Sequence, residues 1–239
     1  MPYLNVTTMV EGTPDQELLA AKGANSFPTL LFLEPETGAV LGPAWRPGDE
    51  QAVRDEFAKA TAEAAALKQL QRDAAAKPDD KQLQAALKLK LALMYAAPAP
   101  LAELAELAKT EGLDPELKAR FDTWYAVQRF HQAMEEVAAK KPQTRSEHAD
   151  LAEVALYGLL KDGVSLPHDD ENAEFFYDFA LNGAVKQGDR AVAEQAYAGY
   201  EKVLKRIAEL APQYQDEIKK ALEEAKARLK RLDEPPEEG

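Results

Sequence analysis

The side chains that could catalyse a reaction or hold a metal are few and widely separated in this chain. Among 239 residues there are three histidines, His131, His148 and His168, and there is no cysteine. Without a thiol there is no disulfide, no thiolate metal ligand and no cysteine nucleophile. The sequence also lacks a Gly-x-Ser-x-Gly turn and a glycine-rich phosphate loop. We therefore expect a protein that is not an enzyme and that uses no cofactor.

The run of residues that most resembles a metal site is His168, Asp169 and Asp170. An imidazole beside carboxylates can hold a divalent cation. The competing interpretation is structural, because an aspartate placed just before a helix caps its first amides and is favoured by the positive helix N-terminus. We favour the capping interpretation, so these three residues are weak metal candidates and no metal is expected.

Aromatic side chains are denser than chemically reactive ones. Phe175, Phe176 and Phe179 lie within five residues of one another, and Tyr197 and Tyr200 follow on a later segment. Core packing is the default interpretation of such a set. Adjacent helical positions do not share one face, however. We therefore expect some of these rings to be exposed and to form a groove for a peptide or protein partner.

A second candidate contact is the loop residue Trp45 beside Arg46. Tryptophan and arginine are enriched among the residues that anchor protein interfaces. The alternative is that Trp45 covers the end of a local sheet.

The charge balance argues against nucleic-acid partners. The chain has 29 basic and 42 acidic residues, a formal net charge of −13, which repels phosphate backbones. No apolar run approaches the roughly 18 residues that cross a bilayer, and the N-terminus lacks the features of a secretory signal. We expect a soluble protein without nucleic-acid or membrane partners. The cytoplasm and the periplasm remain alternatives, because absence of cysteine is compatible with both.

The first fifty residues differ in composition from the rest and predict a β-α-β-β-α order. β-Branched and aromatic residues at 3–10 and the apolar run 26–33 predict strands, and 39–41 predicts a returning antiparallel strand. Residues 15–22 predict a short helix before Gly23, and a long helix begins near residue 51.

This order and its motifs resemble the C-terminal half of the thioredoxin fold. The resemblance rests on Phe27-Pro28-Thr29 followed by an apolar strand, then Thr37-Gly38, an edge strand and a helix, and it covers about residues 1–65. It implies that Pro28 is a cis-proline. The family's Cys-x-x-Cys unit has no counterpart in this chain. The resemblance therefore implies a redox-inactive segment whose sheet is rearranged, is completed by a homodimer partner, or belongs to a longer protein.

Residues beyond 48 predict helices only. Apolar residues recur at three- and four-residue steps between proline and glycine stops. The predicted helices are 51–77, 81–97, 101–110, 116–140, 146–161, 170–186, 191–211 and 213–232. Residues 235–239 form an acidic tail.

The stretch from Phe179 to Leu204 resembles a tetratricopeptide helix pair. Its turn Gln187-Gly188-Asp189 is followed by small residues and tyrosines at the spacing of that motif. No constant period links three such units, so a non-repeating helical bundle remains an alternative. The predicted fold class is α+β and mostly α. We expect a thioredoxin-like segment at 1–65, a tetratricopeptide-like or α-solenoid domain at 66–234, and the tail.

These features favour a non-catalytic interaction or scaffold protein that binds a protein or peptide. One alternative is a fragment or relative of a thiol-disulfide oxidoreductase that lacks its Cys-x-x-Cys half. A second alternative is an acidic protein that sequesters metal ions.

Overall fold

The computed structural model describes residues 21–24, 30–42, 50–96 and 99–233. These residues form eight α-helices, which we number in chain order. They are α1 (Glu50–Ala76), α2 (Lys81–Leu93), α3 (Leu101–Leu107), α4 (Pro115–Ala139), α5 (Arg145–Lys161), α6 (Ala173–Lys186), α7 (Arg190–Leu210) and α8 (Gln215–Lys230). Short 3₁₀ turns, Pro212–Tyr214 and Arg231–Asp233, flank α8.

Polar side chains fix the starts of three of these helices. The Asp80 carboxylate accepts from the amides of Gln82 and Leu83, each at 3.1 Å, and so caps α2. Thr144 caps α5 and Asp189 caps α7 in the same manner. Each cap satisfies amides that have no partner inside the helix, which is why helices start at these residues.

Glycines with positive φ end α5 and α6. Gly163 has φ +85° and Gly188 has φ +67°, and each follows the last helical residue by two positions. A residue with a Cβ is strained in this left-handed conformation, so glycine permits the chain to leave the helix there.

The α+β class and the thioredoxin-like segment predicted from the sequence are wrong. No β-strand occurs among the described residues. Of the strands expected at 26–33 and 39–41, residues 30–33 and 39–41 are described, and they show an isolated antiparallel bridge between Leu33 and Val40. The predicted strand at 3–10 and the candidate cis-proline Pro28 lie outside the described residues.

The turn chemistry explains why this segment looked like a sheet. The Glu34 amide donates to the Ala39 carbonyl and the Leu41 amide to the Phe32 carbonyl, each at 2.8 Å, which closes a tight antiparallel turn. The Val40 amide, however, donates to the carbonyl of Met94 just after α2, at 2.7 Å. Among the described residues, the Met94 carbonyl at the end of α2 therefore accepts a hydrogen bond that the carbonyl of a neighbouring strand would accept in a sheet.

The chain folds into two compact units, one ending at Phe121 and the other beginning at Asp122. In the first unit, α2 packs against α1 and α3. Its core contains Ala60 and Leu67 of α1 together with Ala39 and Leu41 of the turn segment and Met94.

The second unit is a helical bundle around α6. Consecutive helices α5, α6, α7 and α8 pack against one another, and α6 also contacts α8. Phe130 of α4 joins the same core. The fully buried positions on α6 include Ala173, Phe176, Ala180 and Ala184, which recur at the three- and four-residue steps of one helix face.

The tetratricopeptide resemblance is not supported by the arrangement of these helices. Tetratricopeptide units recur about every 34 residues. Here α5 begins at residue 145 and α7 at residue 190, and the helices that lie wholly within the second unit range from 14 to 21 residues in length. The expectation of helices alone beyond residue 48 is confirmed for the described residues, and the helices of the second unit form a non-repeating bundle.

Two glycines permit the closest helix contacts in this bundle. A Cβ at Gly183 of α6 would lie 2.3 Å from the backbone oxygen of Glu153 on α5. A Cβ at Gly199 of α7 would lie 2.3 Å from the ring of Tyr177 on α6. Both distances are far below van der Waals contact. The absence of a side chain at Gly183 and Gly199 therefore allows α6 to pack closely against α5 and α7.

Within the described part of the chain, every helix is too short or too polar to cross a membrane.

Candidate functional site

The aromatic residues singled out by the sequence separate onto two sides of α6. Phe176 is completely buried and contributes to the core of the second unit. Phe175 and Phe179 are only half-buried. The difference follows from helical geometry, because adjacent residues point about 100° apart while residues four apart share a face.

Phe175 and Phe179 belong to a longitudinal row that we call the α6 stripe. It consists of Phe175, Asp178, Phe179 and Asn182, all half-buried and spaced at three- and four-residue steps. The two phenylalanine rings lie 4.0 Å apart between centroids, at 32° to each other. The stripe therefore combines an apolar ring pair with a carboxylate and a carboxamide.

Neighbouring helices flank the stripe on both sides. On one side the ring of Phe130 of α4 stands edge-on to Phe175 with 6.3 Å between centroids. On the other side Arg228 of α8 donates to Asp178 at 2.7 Å and to Asn182 at 2.5 Å. These contacts fix the polar members of the stripe, since a guanidinium that bonds two neighbouring acceptors holds both in place.

A cavity of about 500 Å³ lies beside the stripe, between α6, α7 and α8. Its lining includes Asp178, Tyr200, Glu224, Arg228 and Arg231. Burial, with the nearby charges of Asp178 and other acids, raises the pKa of Tyr200 to about 12. The hydroxyl is therefore protonated at neutral pH and available as a hydrogen-bond donor at this cavity.

The remaining predicted partner-binding residues fall elsewhere. Tyr197 lies on α7 and packs half-buried against the core, and burial raises its pKa. Trp45 and Arg46 lie outside the described residues. The structure thus brings together Phe175 and Phe179. Tyr200 lines the adjoining cavity, and Asp178 belongs both to the lining of that cavity and to the α6 stripe.

Two of the three weak metal candidates, His168 and Asp170, make local contacts, while Asp169 is exposed. The ring of His168 stacks on Tyr177, 5.8 Å between centroids and 16° from parallel. The Asp170 carboxylate accepts from the Asn172 amide at 2.8 Å, and α6 begins at Ala173 rather than at residue 170. In the part of the chain that the structure describes, no three His, Cys, Asp or Glu side chains are grouped to hold a metal ion.

A second cavity, of about 580 Å³, was not foreseen from the sequence. It lies between α4 and the loop that joins α5 to α6, with Tyr177 of α6 also in its lining. Its walls come from segments about forty residues apart, so local patterns do not reveal it. The sequence feature that could have indicated this cavity is the irregular stretch from Gly163 to His168, since long connections often carry binding residues.

Comparison with known proteins adds no relative. No protein-family model, curated protein or solved structure matches this chain.

Proposed function

We propose that this chain is a non-catalytic binding protein and that the α6 stripe holds a segment of a protein partner. The observation that carries the proposal is the half-buried Phe175–Phe179 ring pair, flanked by the ion pair between Arg228 and Asp178. An apolar anchor point with a polar border is the arrangement that protein interfaces use.

The rigidity of the stripe supports binding. The Arg228 side chain is already fixed by Asp178 and Asn182, and Phe175 is fixed by Phe130. A surface whose side chains are held before binding loses less conformational entropy when a partner arrives. The ring pair can then accept an apolar side chain without first rearranging.

The charges favour a basic partner. Asp178 and Glu224 line the adjoining cavity together with Arg228 and Arg231, and Glu174 adds a third acid one turn before Asp178 on α6. Arg228 is already paired with Asp178, and the whole chain carries a net charge of −13. Long-range attraction and charge complementarity therefore select a segment in which an apolar residue is flanked by Lys or Arg.

The proposal is tested by selecting binders from a displayed library of random dodecapeptides on the purified chain. We expect enrichment of peptides with one large apolar residue between basic residues. Enrichment that is absent, or that is unchanged on a Phe175→Ser/Phe179→Ser double variant, would refute the assignment. Far-ultraviolet circular dichroism of the double variant establishes that its helices are intact.

A matched control comes from the same helical bundle. Val154 on α5 is an exposed apolar residue, with 59% of its surface accessible, and it is not part of the α6 stripe. Val154→Ser removes a similar kind of exposed apolar surface. We expect this variant to enrich the same peptides as the unmodified chain.

A further inference from the structure

The cavity of about 580 Å³ has the size of a small-molecule site and a lining of one charge sign. Small-molecule pockets occupy about 300–1,000 Å³. The formally charged residues of the lining are Asp122 and Asp162, and no Lys or Arg is among the lining residues. The remaining lining residues carry no formal charge, and they include His168 and Tyr177.

His168 does not supply a compensating positive charge at neutral pH. Burial, together with the charge of Lys202, lowers the pKa of His168 below its ordinary value of 6.5. Its imidazole is therefore mostly neutral at pH 7. Lys202 acts on His168 and Arg129 lies over the ring of Tyr125, but neither residue lines the cavity.

The end of α5 adds negative potential at the same place. Asp162 is the C-cap residue of α5, and both Asp162 and Gly163 line the cavity. A helix C-terminus carries a partial negative charge, so a carboxylate there is electrostatically unfavourable unless a cation lies close by. Lys161, the basic residue of that last turn, contacts Asp189 at 3.2 Å and Tyr157 at 2.8 Å.

An aromatic stack borders this negative region, in which the half-buried ring of His168 lies over the buried ring of Tyr177. The rings of His168 and Tyr177 are nearly parallel, and the Tyr177 hydroxyl donates to the Leu166 carbonyl at 2.6 Å, which holds the ring in place. Planar guanidinium groups stack on aromatic rings and also pair with carboxylates, whereas an ammonium group is a strongly hydrated point charge.

We propose that this cavity binds a planar organic cation of the guanidinium class, with Asp162 as the opposing charge and the His168 ring, backed by Tyr177, as the stacking surface. The proposal is independent of the α6 stripe, because it involves different residues and a different ligand. Either site can therefore fail without the other.

The test compares two ligands of nearly identical shape, N-acetyl-arginine N-methylamide and N-acetyl-citrulline N-methylamide. The first carries the guanidinium charge and the second is neutral. Each is titrated into the ¹⁵N-labelled chain while the amide signals of Gly163 and Ser165 are followed. We expect saturable shifts with the arginine compound and about fivefold weaker binding of the citrulline compound, as the loss of a single charge contact implies.

Two aspartate variants locate the charge. Asp162→Asn should weaken binding of the arginine compound by about fivefold, since it removes the proposed opposing charge. Asp169 is an acid of the same loop that does not line the cavity. Asp169→Asn should therefore leave the dissociation constant of the arginine compound within about twofold of its value for the unmodified chain. Equal binding of the two ligands, equal effects of the two variants, or no saturable shift up to about 10 mM ligand would overturn the proposal.

Discussion

The rings of Phe175 and Phe179 lie 4.0 Å apart on the half-buried side of α6, while Phe176 between them in sequence is completely buried. One short aromatic run thus contributes both to the core of the bundle and to its surface. The surface pair is bordered by Arg228, which bonds Asp178 and Asn182 of the same helix. The proposed interaction site is therefore built on a helix that also contributes Phe176 to the core of the second unit.

The close approach of α6 and α7 predicts that Gly199→Ala destabilises the second unit. A Cβ there would lie 2.3 Å from the Tyr177 ring, so the helices or the ring must move. Overpacking of this kind costs about 1–3 kcal/mol, and the better helix propensity of alanine offsets about 1 kcal/mol of that cost. The free energy of unfolding, measured by urea titration, should therefore fall by up to about 2 kcal/mol.

Gly158→Ala serves as the control for that substitution. Gly158 lies within α5, and no atom is within 4 Å of the Cβ position. Replacing a helical glycine by alanine in open space stabilises by about 1 kcal/mol. If both variants changed the free energy of unfolding in the same direction, the packing account of Gly199 would be wrong.

The Tyr177 hydroxyl predicts a second stability effect. It is buried and donates to the Leu166 carbonyl at 2.6 Å, and so anchors the loop that precedes α6. Tyr177→Phe leaves that acceptor without its donor, which costs about 1–3 kcal/mol.

Tyr214→Phe is the matched control, because 52% of Tyr214 is exposed. A surface substitution of this kind changes the free energy of unfolding by no more than about 0.5 kcal/mol. Equal free energies of unfolding for the two variants would show that the Tyr177 hydrogen bond does not anchor the loop.

The turn before residue 40 predicts a pH-dependent contribution to stability from Glu34. Its carboxylate is 2% exposed and accepts from the Thr37 amide, the Thr37 hydroxyl and the Glu36 amide, at 2.7, 2.8 and 3.0 Å. These hydrogen bonds, with that of the Thr37 amide foremost, lower the pKa of Glu34 below its ordinary value of 4.5. The ionised form is therefore favoured by the fold.

A carboxyl with a lowered pKa stabilises the fold above its unfolded pKa, and this stabilisation is lost as the pH falls through the folded pKa. Glu34→Gln should therefore lower Tm at pH 7, and its difference from the unmodified chain should shrink as the pH falls below 4.5. The exposed neighbour variant Glu36→Gln should change Tm little at any pH. A Tm difference for Glu34→Gln that stays constant down to low pH would contradict the role of the carboxylate.

Helix positions were largely predictable from the sequence, and the reasons are local. The sequence predicts a helix at 146–161, and α5 spans Arg145–Lys161, because Thr144 and Gly163 mark its ends chemically. The helix predicted at 81–97 instead ends at Leu93, since Tyr95 adopts a φ of +50° and the Met94 carbonyl accepts from Val40. That boundary depends on a contact fifty residues distant, which no local pattern contains.

The error at 30–42 has a similar cause. Apolar β-branched and aromatic residues around a Thr37-Gly38 turn predict paired strands, and one antiparallel bridge between Leu33 and Val40 does form. Strand propensity measures the fit of side chains to a pleated, half-buried surface rather than a fixed backbone preference. In this chain the neighbouring surface belongs to helices, with Ala39 and Leu41 packed in the same core as Ala60 and Leu67 of α1.

The candidate site was predictable only in part. Helical spacing places Phe175 and Phe179 on one face and Phe176 on another, but the sequence alone does not indicate which face is buried. The pairing of Asp178 with Arg228 joins residues fifty positions apart. The cavity of about 580 Å³ likewise depends on how α4 lies against the loop that joins α5 to α6.

The most direct test of binding at the α6 stripe is the dissociation constant of the best selected peptide, measured by fluorescence anisotropy against the unmodified chain, Phe179→Ser and Val154→Ser. The account predicts that Phe179→Ser weakens binding at least about tenfold, as truncation of an aromatic interface anchor does, while Val154→Ser leaves it unchanged. Equal dissociation constants for all three proteins would contradict the account.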